Sequence, residues 1–164
     1  MSGAVTWWRP FSLPLGTDPD PTFRTEESSS NMMKKEEATE FASRWLPAWT
    51  GNNPEKLASY YSDDCFYWDA GIPNGANGKA ELIGYFRKLL AQNPDWVWSQ
   101  IEAIPMEGGF LNKWSARIPV GEKTLECTGV CFLQFDDQGK IKRNEVYFDR
   151  TELVSEIHRL KKST

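Results

Sequence analysis

The stretch from Trp96 to Asp149, WVWSQIEAIPMEGGFLNKWSARIPVGEKTLECTGVCFLQFDDQGKIKRNEVYFD, decides the fold. It contains four runs of strand texture, Trp96–Ile104, Phe110–Val120, Thr124–Phe135 and Lys140–Asp149. Turn signals at Gly108–Gly109, Gly121–Glu122 and Asp136–Gly139 separate them. Links this short join antiparallel neighbours, because a parallel crossover needs a much longer connection. The stretch therefore predicts a four-stranded meander.

Upstream of it the texture is helical. Ala38, Phe41, Ala42, Trp45 and Trp49 recur at spacings of three and four, giving one apolar stripe from Glu36 onward. Pro47 removes a backbone donor from the last turn, and Gly51 stands where a helix ends. Asn53-Pro54-Glu55 is a cap followed by a first-turn proline, and Leu57, Tyr60 and Tyr61 supply the buried face of the second helix. Cys65–Asp69 reads as a short strand leading into the loop Gly71-Ile72-Pro73-Asn74-Gly75. A third helix begins near Gly78, carries Leu82, Tyr85, Phe86, Leu89 and Leu90 on one side, and stops at Asn93-Pro94. Thr151–Lys161 closes the chain as a helix with Leu153, Ile157 and Leu160. Three helices and a strand followed by a long antiparallel sheet predict an α+β domain. In it, a curved sheet wraps the helices and encloses a pocket.

Residues 1–33 read as an extended arm, broken by Pro10, Pro14, Pro19, Pro21, Gly16 and the serines 28–30, with residues 34–164 as the domain. Trp7, Trp8 and Phe11 leave two readings open, an arm docked on the body or a partner and an idle extension.

The net charge of −4 is the wrong sign for nucleic acid, whose phosphates require clustered Lys and Arg. No run of about 18 apolar residues is present to span a bilayer, and the N-terminus lacks the apolar centre of a signal peptide. Cys65, Cys127 and Cys131 are odd in number and lack metal-type spacing, and His158 is the single histidine. These features predict a cytoplasmic protein with neither disulfides, metal nor cofactor. Eight Trp and nine Phe exceed the needs of an ordinary core, and suit an apolar ligand cavity, a homodimer face or both. Trp96 and Trp98 are expected on the outer, dimer-forming face.

Specific strings add to this pattern. Leu57-Ala-Ser-Tyr-Tyr-Ser-Asp-Asp64 resembles the end of the second helix in the NTF2-like superfamily and its SnoaL-like, polyketide cyclase-like members. Asn77-Gly-Lys-Ala-Glu-Leu82 resembles the opening of their third helix, and Phe135-Asp-Asp-Gln-Gly-Lys-Ile141 with Tyr147-Phe-Asp149 resembles their final hairpin. The resemblance covers about residues 36–158. It implies an NTF2-like cone and a pocket for a hydrophobic, oxygenated small molecule. It also implies cofactor-independent acid/base chemistry of cyclase or isomerase type, or else a non-catalytic ligand-binding or dimerisation module, since this fold hosts both.

Alternation along the strand puts Cys65, Tyr67 and Asp69 on one face and Phe66 and Trp68 on the other. Asp69 falls where the related ketosteroid isomerases carry an Asp base. Tyr67 is expected to assist it by hydrogen bonding. Apolar surroundings disfavour a charged carboxylate, which suits a base; a loop-capping role for Asp69 is the competing reading. Asn at position 69 is expected to remove activity with little change in thermal midpoint. The isomerases' oxyanion-binding Tyr and protonated acid correspond here to Trp45 and Cys131, so their full apparatus is absent. Limonene-1,2-epoxide hydrolases place a Tyr and an Asn near Tyr67 and Asp69, but the position of their final Asp is Val146 and their Arg-x-Asp pair is missing. The remaining candidates for the pocket are Trp49, Tyr85, Lys113, Arg117, Asn144 and Phe148. Lys113, Ser115 and Arg117 share one face of their strand, and that face is either the inner or the solvent one.

Overall fold

The computed structural model describes residues 32–162. Most of the arm expected over residues 1–33, including Trp7, Trp8 and Phe11, lies outside the described residues. Its end does not: Met32 bridges to Glu107, and Met33 packs against the core.

Helix α1 spans Lys35–Trp45, with Glu36 and Glu37 in its first turn and Arg44 in its last, as the helix dipole favours. Pro47 cannot donate to an α-helical ladder, and the chain tightens into a 3-10 turn over Leu46–Trp49. That turn swings Trp49 edge-on to Trp45, ring centroids 5.9 Å apart. Helix α2 is only Pro54–Ala58, its end capped by Asn53, whose side-chain oxygen accepts from the Lys56 N–H. Tyr61 belongs not to this helix but to strand β1, Tyr61–Trp68, which starts four residues earlier than the sequence suggests. β2 is the two-residue strand Ala76–Asn77, and α3 spans Lys79–Gln92.

The meander follows as β3 Val97–Met106, β4 Gly109–Val120, β5 Lys123–Phe135 and β6 Ile141–Phe148, and α4 covers Thr151–Lys162. The six strands form one curved, open sheet in the order β2-β1-β6-β5-β4-β3. All neighbours are antiparallel except β1 and β6, which run parallel. The parallel pair corrects the expected all-antiparallel sheet. It joins strands separated by the whole meander, a long-range pairing with no local turn signal. Helices α1 and α3 lie on the concave side, packing Ala38, Ala42, Trp45, Leu82, Phe86 and Leu90 against the inner residues of the sheet. Among the described residues, no helix is long and apolar enough to cross a membrane.

Candidate active site

One cavity opens between the helices and the concave face, with a volume of about 60 Å³. A single water needs about 10–15 Å³ by this measure, so the space suits a few waters or a small molecule. Among the described residues eight aromatic side chains line it: Trp45, Trp49, Tyr67, Tyr85, Trp96, Trp98, Trp114 and Phe148. They interlock, Trp98–Trp114 at 4.8 Å and Trp114–Phe148 at 5.4 Å edge to face and Trp49–Trp98 at 6.0 Å tilted, between centroids. The last contact depends on a glycine. Gly129 pairs with Trp114 on one side and Phe148 on the other, and a Cβ there would stand 2.5 Å from the Trp114 ring and 2.7 Å from Phe148 Cβ.

Asp69, 8% exposed, sits just beyond β1 at the edge of this cavity. Its Oδ2 accepts from the Tyr67 hydroxyl at 2.9 Å and the Tyr85 hydroxyl at 2.6 Å, and its Oδ1 accepts from the Gly71 N–H at 2.6 Å. Asp69 does make the loop-capping bond, and it also carries two phenols. β1 delivers Tyr67 and Asp69 two residues apart on one face, while α3 delivers Tyr85 from above. Gly71 is needed for this approach, since a Cβ would lie 2.9 Å from Asp69 Oδ1 and 3.3 Å from Tyr85 Oη. Burial, followed by the neighbouring Asp69 charge, holds both Tyr67 and Tyr85 well above the ordinary phenol value. Both therefore stay protonated and act as donors.

A carboxylate has about four acceptor positions. Three are filled here by neutral donors, and one position on Oδ1 has no donor among the described residues.

Cys131 lines the cavity and accepts a hydrogen bond from Trp114 Nε1 at 3.0 Å; burial pushes its thiol up to about 12, so it is a protonated wall residue at neutral pH. Burial likewise pushes the Cys65 thiol up to about 11.

The sequence-derived candidates fall into three groups. Asp69, Tyr67, Tyr85, Trp45, Trp49, Cys131 and Phe148 all reach the cavity. Asn144 faces inward but lies off it, donating to Tyr61 Oη at 2.9 Å in the packed interior. Lys113 and Arg117 do not reach it: they are exposed on the convex face, because Asn112, Trp114, Ala116 and Ile118 take the inner positions of β4. The apolar alternates win the interior, since an unpaired cation there is costly to desolvate. The same parity corrects Trp96 and Trp98, which turn into the cavity rather than outward.

Arg150 was missed. It lines the cavity mouth, with Nη1 3.4 Å from where a Gly71 Cβ would stand. Its place directly after the closing Tyr147-Phe148-Asp149 string was the available signal. Among the described residues no cluster of three His, Cys, Asp or Glu could hold a metal.

Residues 42–144 match the family model for the SnoaL-like domain. No curated protein matches the chain. Among solved structures, a hypothetical protein with a ketosteroid isomerase-like protein fold from Catenulispora acidiphila DSM 44928, in complex with trimethylamine, aligns with a TM-score of 0.64. The two are 17% identical, and the alignment covers 73% of this chain and 92% of that one. At that identity the likeness is one of fold.

Proposed function

Since this chain belongs to the SnoaL-like domain family, we propose that its cavity carries out cofactor-independent proton transfer on a small, largely apolar, oxygenated molecule, with Asp69 as the base. The supporting observation is the Asp69 carboxylate itself. It is buried among rings and held rigidly by Tyr67, Tyr85 and Gly71, with one acceptor position still open on Oδ1. In this reading Oδ1 removes a proton from the carbon beside a substrate carbonyl, leaving an enolate and a carboxylic acid. Isomerase-like chemistry follows when the acid returns the proton to a second carbon. Cyclase-like chemistry follows when the enolate carbon adds to a second carbonyl of the same molecule and the alkoxide takes the proton back from Asp69. Lyase-like chemistry follows when the enolate expels a group from the adjacent carbon, which leaves with that proton. Tyr67 and Tyr85 fix the carboxylate's direction through their short bonds, which keeps the base in a reactive pose.

Hydrogen–deuterium exchange tests this without a known substrate. The protein in D2O with a panel of small ketones that carry a benzene ring, 2-tetralone among them, should exchange the protons beside the carbonyl faster than buffer does. Asp69→Asn should return the rate to background. Exchange that survives in the variant refutes the assignment of Asp69.

A second, non-catalytic reading has its own support. Eight aromatic side chains around a carboxylate are suited to an alkylammonium ion, and the similar protein of known structure was solved with trimethylamine. Binding of trimethylammonium without any exchange activity would favour it.

The expected homodimer has support in the exposed apolar side chains of Val97, Ile101, Ile104 and Tyr147 on β3 and β6, and light scattering across concentrations tests it. A cytoplasmic location is proposed from the three free thiols, which suit a reducing compartment.

A further inference from the structure

Two charged side chains among the described residues line the cavity, and their charges are spent very differently. Asp69 is met by three donors, all of them neutral. Arg150, half-buried at the mouth, makes no ion pair and no side-chain hydrogen bond among the described residues. It is not idle in the local field, since its charge acts on Tyr85 against the effects of burial and Asp69. Its position is fixed from two directions: it follows the last residues of β6, and its carbonyl accepts from Val154 N–H in the first turn of α4. The guanidinium stands beside Gly71, where the absent Cβ leaves the space between it, Tyr85 and Asp69 open.

A guanidinium offers five N–H donors in a planar fork that matches a carboxylate. Held next to an aromatic cavity and without an ion-pair partner among the described residues, it supplies a positive charge at the mouth. We infer that Arg150 forms an anion subsite at the mouth, so that the natural ligand is an amphipathic acid. Its apolar body lies among the tryptophans and its carboxylate, or an equivalent oxyanion, lies on Arg150. This deepens the reading of the cavity as a small-molecule site and rests on it. It also separates that site from the alkylammonium alternative, because a guanidinium at the entrance opposes the attraction of Asp69 for a cationic guest.

Charge-assisted hydrogen bonds contribute about 1.5–3 kcal/mol each, so a carboxylate seated on Arg150 binds roughly 10–100-fold tighter than its neutral amide. The test uses phenylacetate, phenylacetamide and benzyltrimethylammonium as probes, read by quenching of the cavity tryptophans. The wild-type protein should favour the acid over the amide by that factor. The preference should disappear in Arg150→Gln, survive in part in Arg150→Lys, and shrink with added salt. Thermal melts of both variants should match wild type, since Arg150 holds no side-chain hydrogen bond or ion pair among the described residues. Equal binding of acid and amide, tighter binding of the ammonium probe, no binding of any probe, or a preference that persists in Arg150→Gln would each overturn the inference. The Asp69→Asn variant keeps the two ideas apart: it should keep the preference for the acid while losing deuterium exchange, so either result can fail alone.

Discussion

Replacing Asp69 by Asn removes one charge and no volume, so by size alone the thermal midpoint should hold. The hydrogen bonds argue otherwise, and here the structure revises the expectation drawn from sequence. Asp69 presents acceptors on both sides, to two phenols on Oδ2 and to a backbone N–H on Oδ1. An amide has one carbonyl and one NH2 group. With the carbonyl toward the tyrosines, the NH2 faces the Gly71 N–H across a 2.6 Å contact, donor against donor. With the amide turned over, Gly71 is satisfied and the two phenol protons lose their acceptor. Either way one or two buried donors are orphaned, at about 1–3 kcal/mol in total. For a domain of this size about 1 kcal/mol corresponds to roughly 3–5 °C, so the midpoint should fall by about 3–15 °C. Circular dichroism melts at neutral pH measure it directly. A double-mutant cycle with Tyr85→Phe should show coupling of about 1 kcal/mol, because the two changes break one bond. A midpoint within about 1 °C of wild type, together with zero coupling, would mean that the carboxylate does not hold these donors in solution.

Gly129→Ala should be more damaging than any other single methyl added to β5, lowering stability by about 1–3 kcal/mol and opening the Trp114–Phe148 contact; urea unfolding and tryptophan fluorescence report both. Lys113→Ala and Arg117→Ala should leave probe binding unchanged within error, since both side chains are on the convex face; a loss of binding would contradict that placement. From neutral pH stability should be flat to about pH 9 and then decline toward about pH 12. Burial raises the Cys131 thiol above its unfolded value, so above pH 9 the unfolded chain sheds a proton that the folded chain keeps. Urea titrations across that range check the sign, and Cys131→Ala should reduce the slope while leaving the part carried by Cys65, Tyr67 and Tyr85, which burial raises in the same sense. At neutral pH a thiol reagent should reach half-buried Cys127 before Cys65 or Cys131, which react only on unfolding; mass spectrometry of the labelled peptides decides it.

The meander was legible because it rests on local signals, the turn residues at Gly108–Gly109, Gly121–Glu122 and Asp136–Gly139 and the alternation between them. The pairing of β1 with β6 was not, since no turn joins those strands and only the closed interior brings them together. Period-two alternation identified Tyr67 and Asp69 as sharing a face, and that face proved to be the cavity's. For β4 the same rule defined two faces without saying which one turns inward; burial of Trp114 and Ile118 settles it, and Lys113 and Arg117 lie outside as a result. Trp96 and Trp98 were misplaced for the converse reason: large rings suit a subunit interface and a pocket wall equally well. Arg150 escaped notice because it lies past the last strand, where neither period applies.

The glycine beneath the Trp114 and Phe148 rings carries a consequence for anyone wishing to reshape this protein. The floor there is one atom deep, with indole and phenyl resting almost on bare main chain, so nothing can be added from below. Changes of guest size have to come from other walls of the cavity, among them Leu89 and Leu153. A library varied at those two leucines should shift selectivity while the sheet beneath keeps its shape.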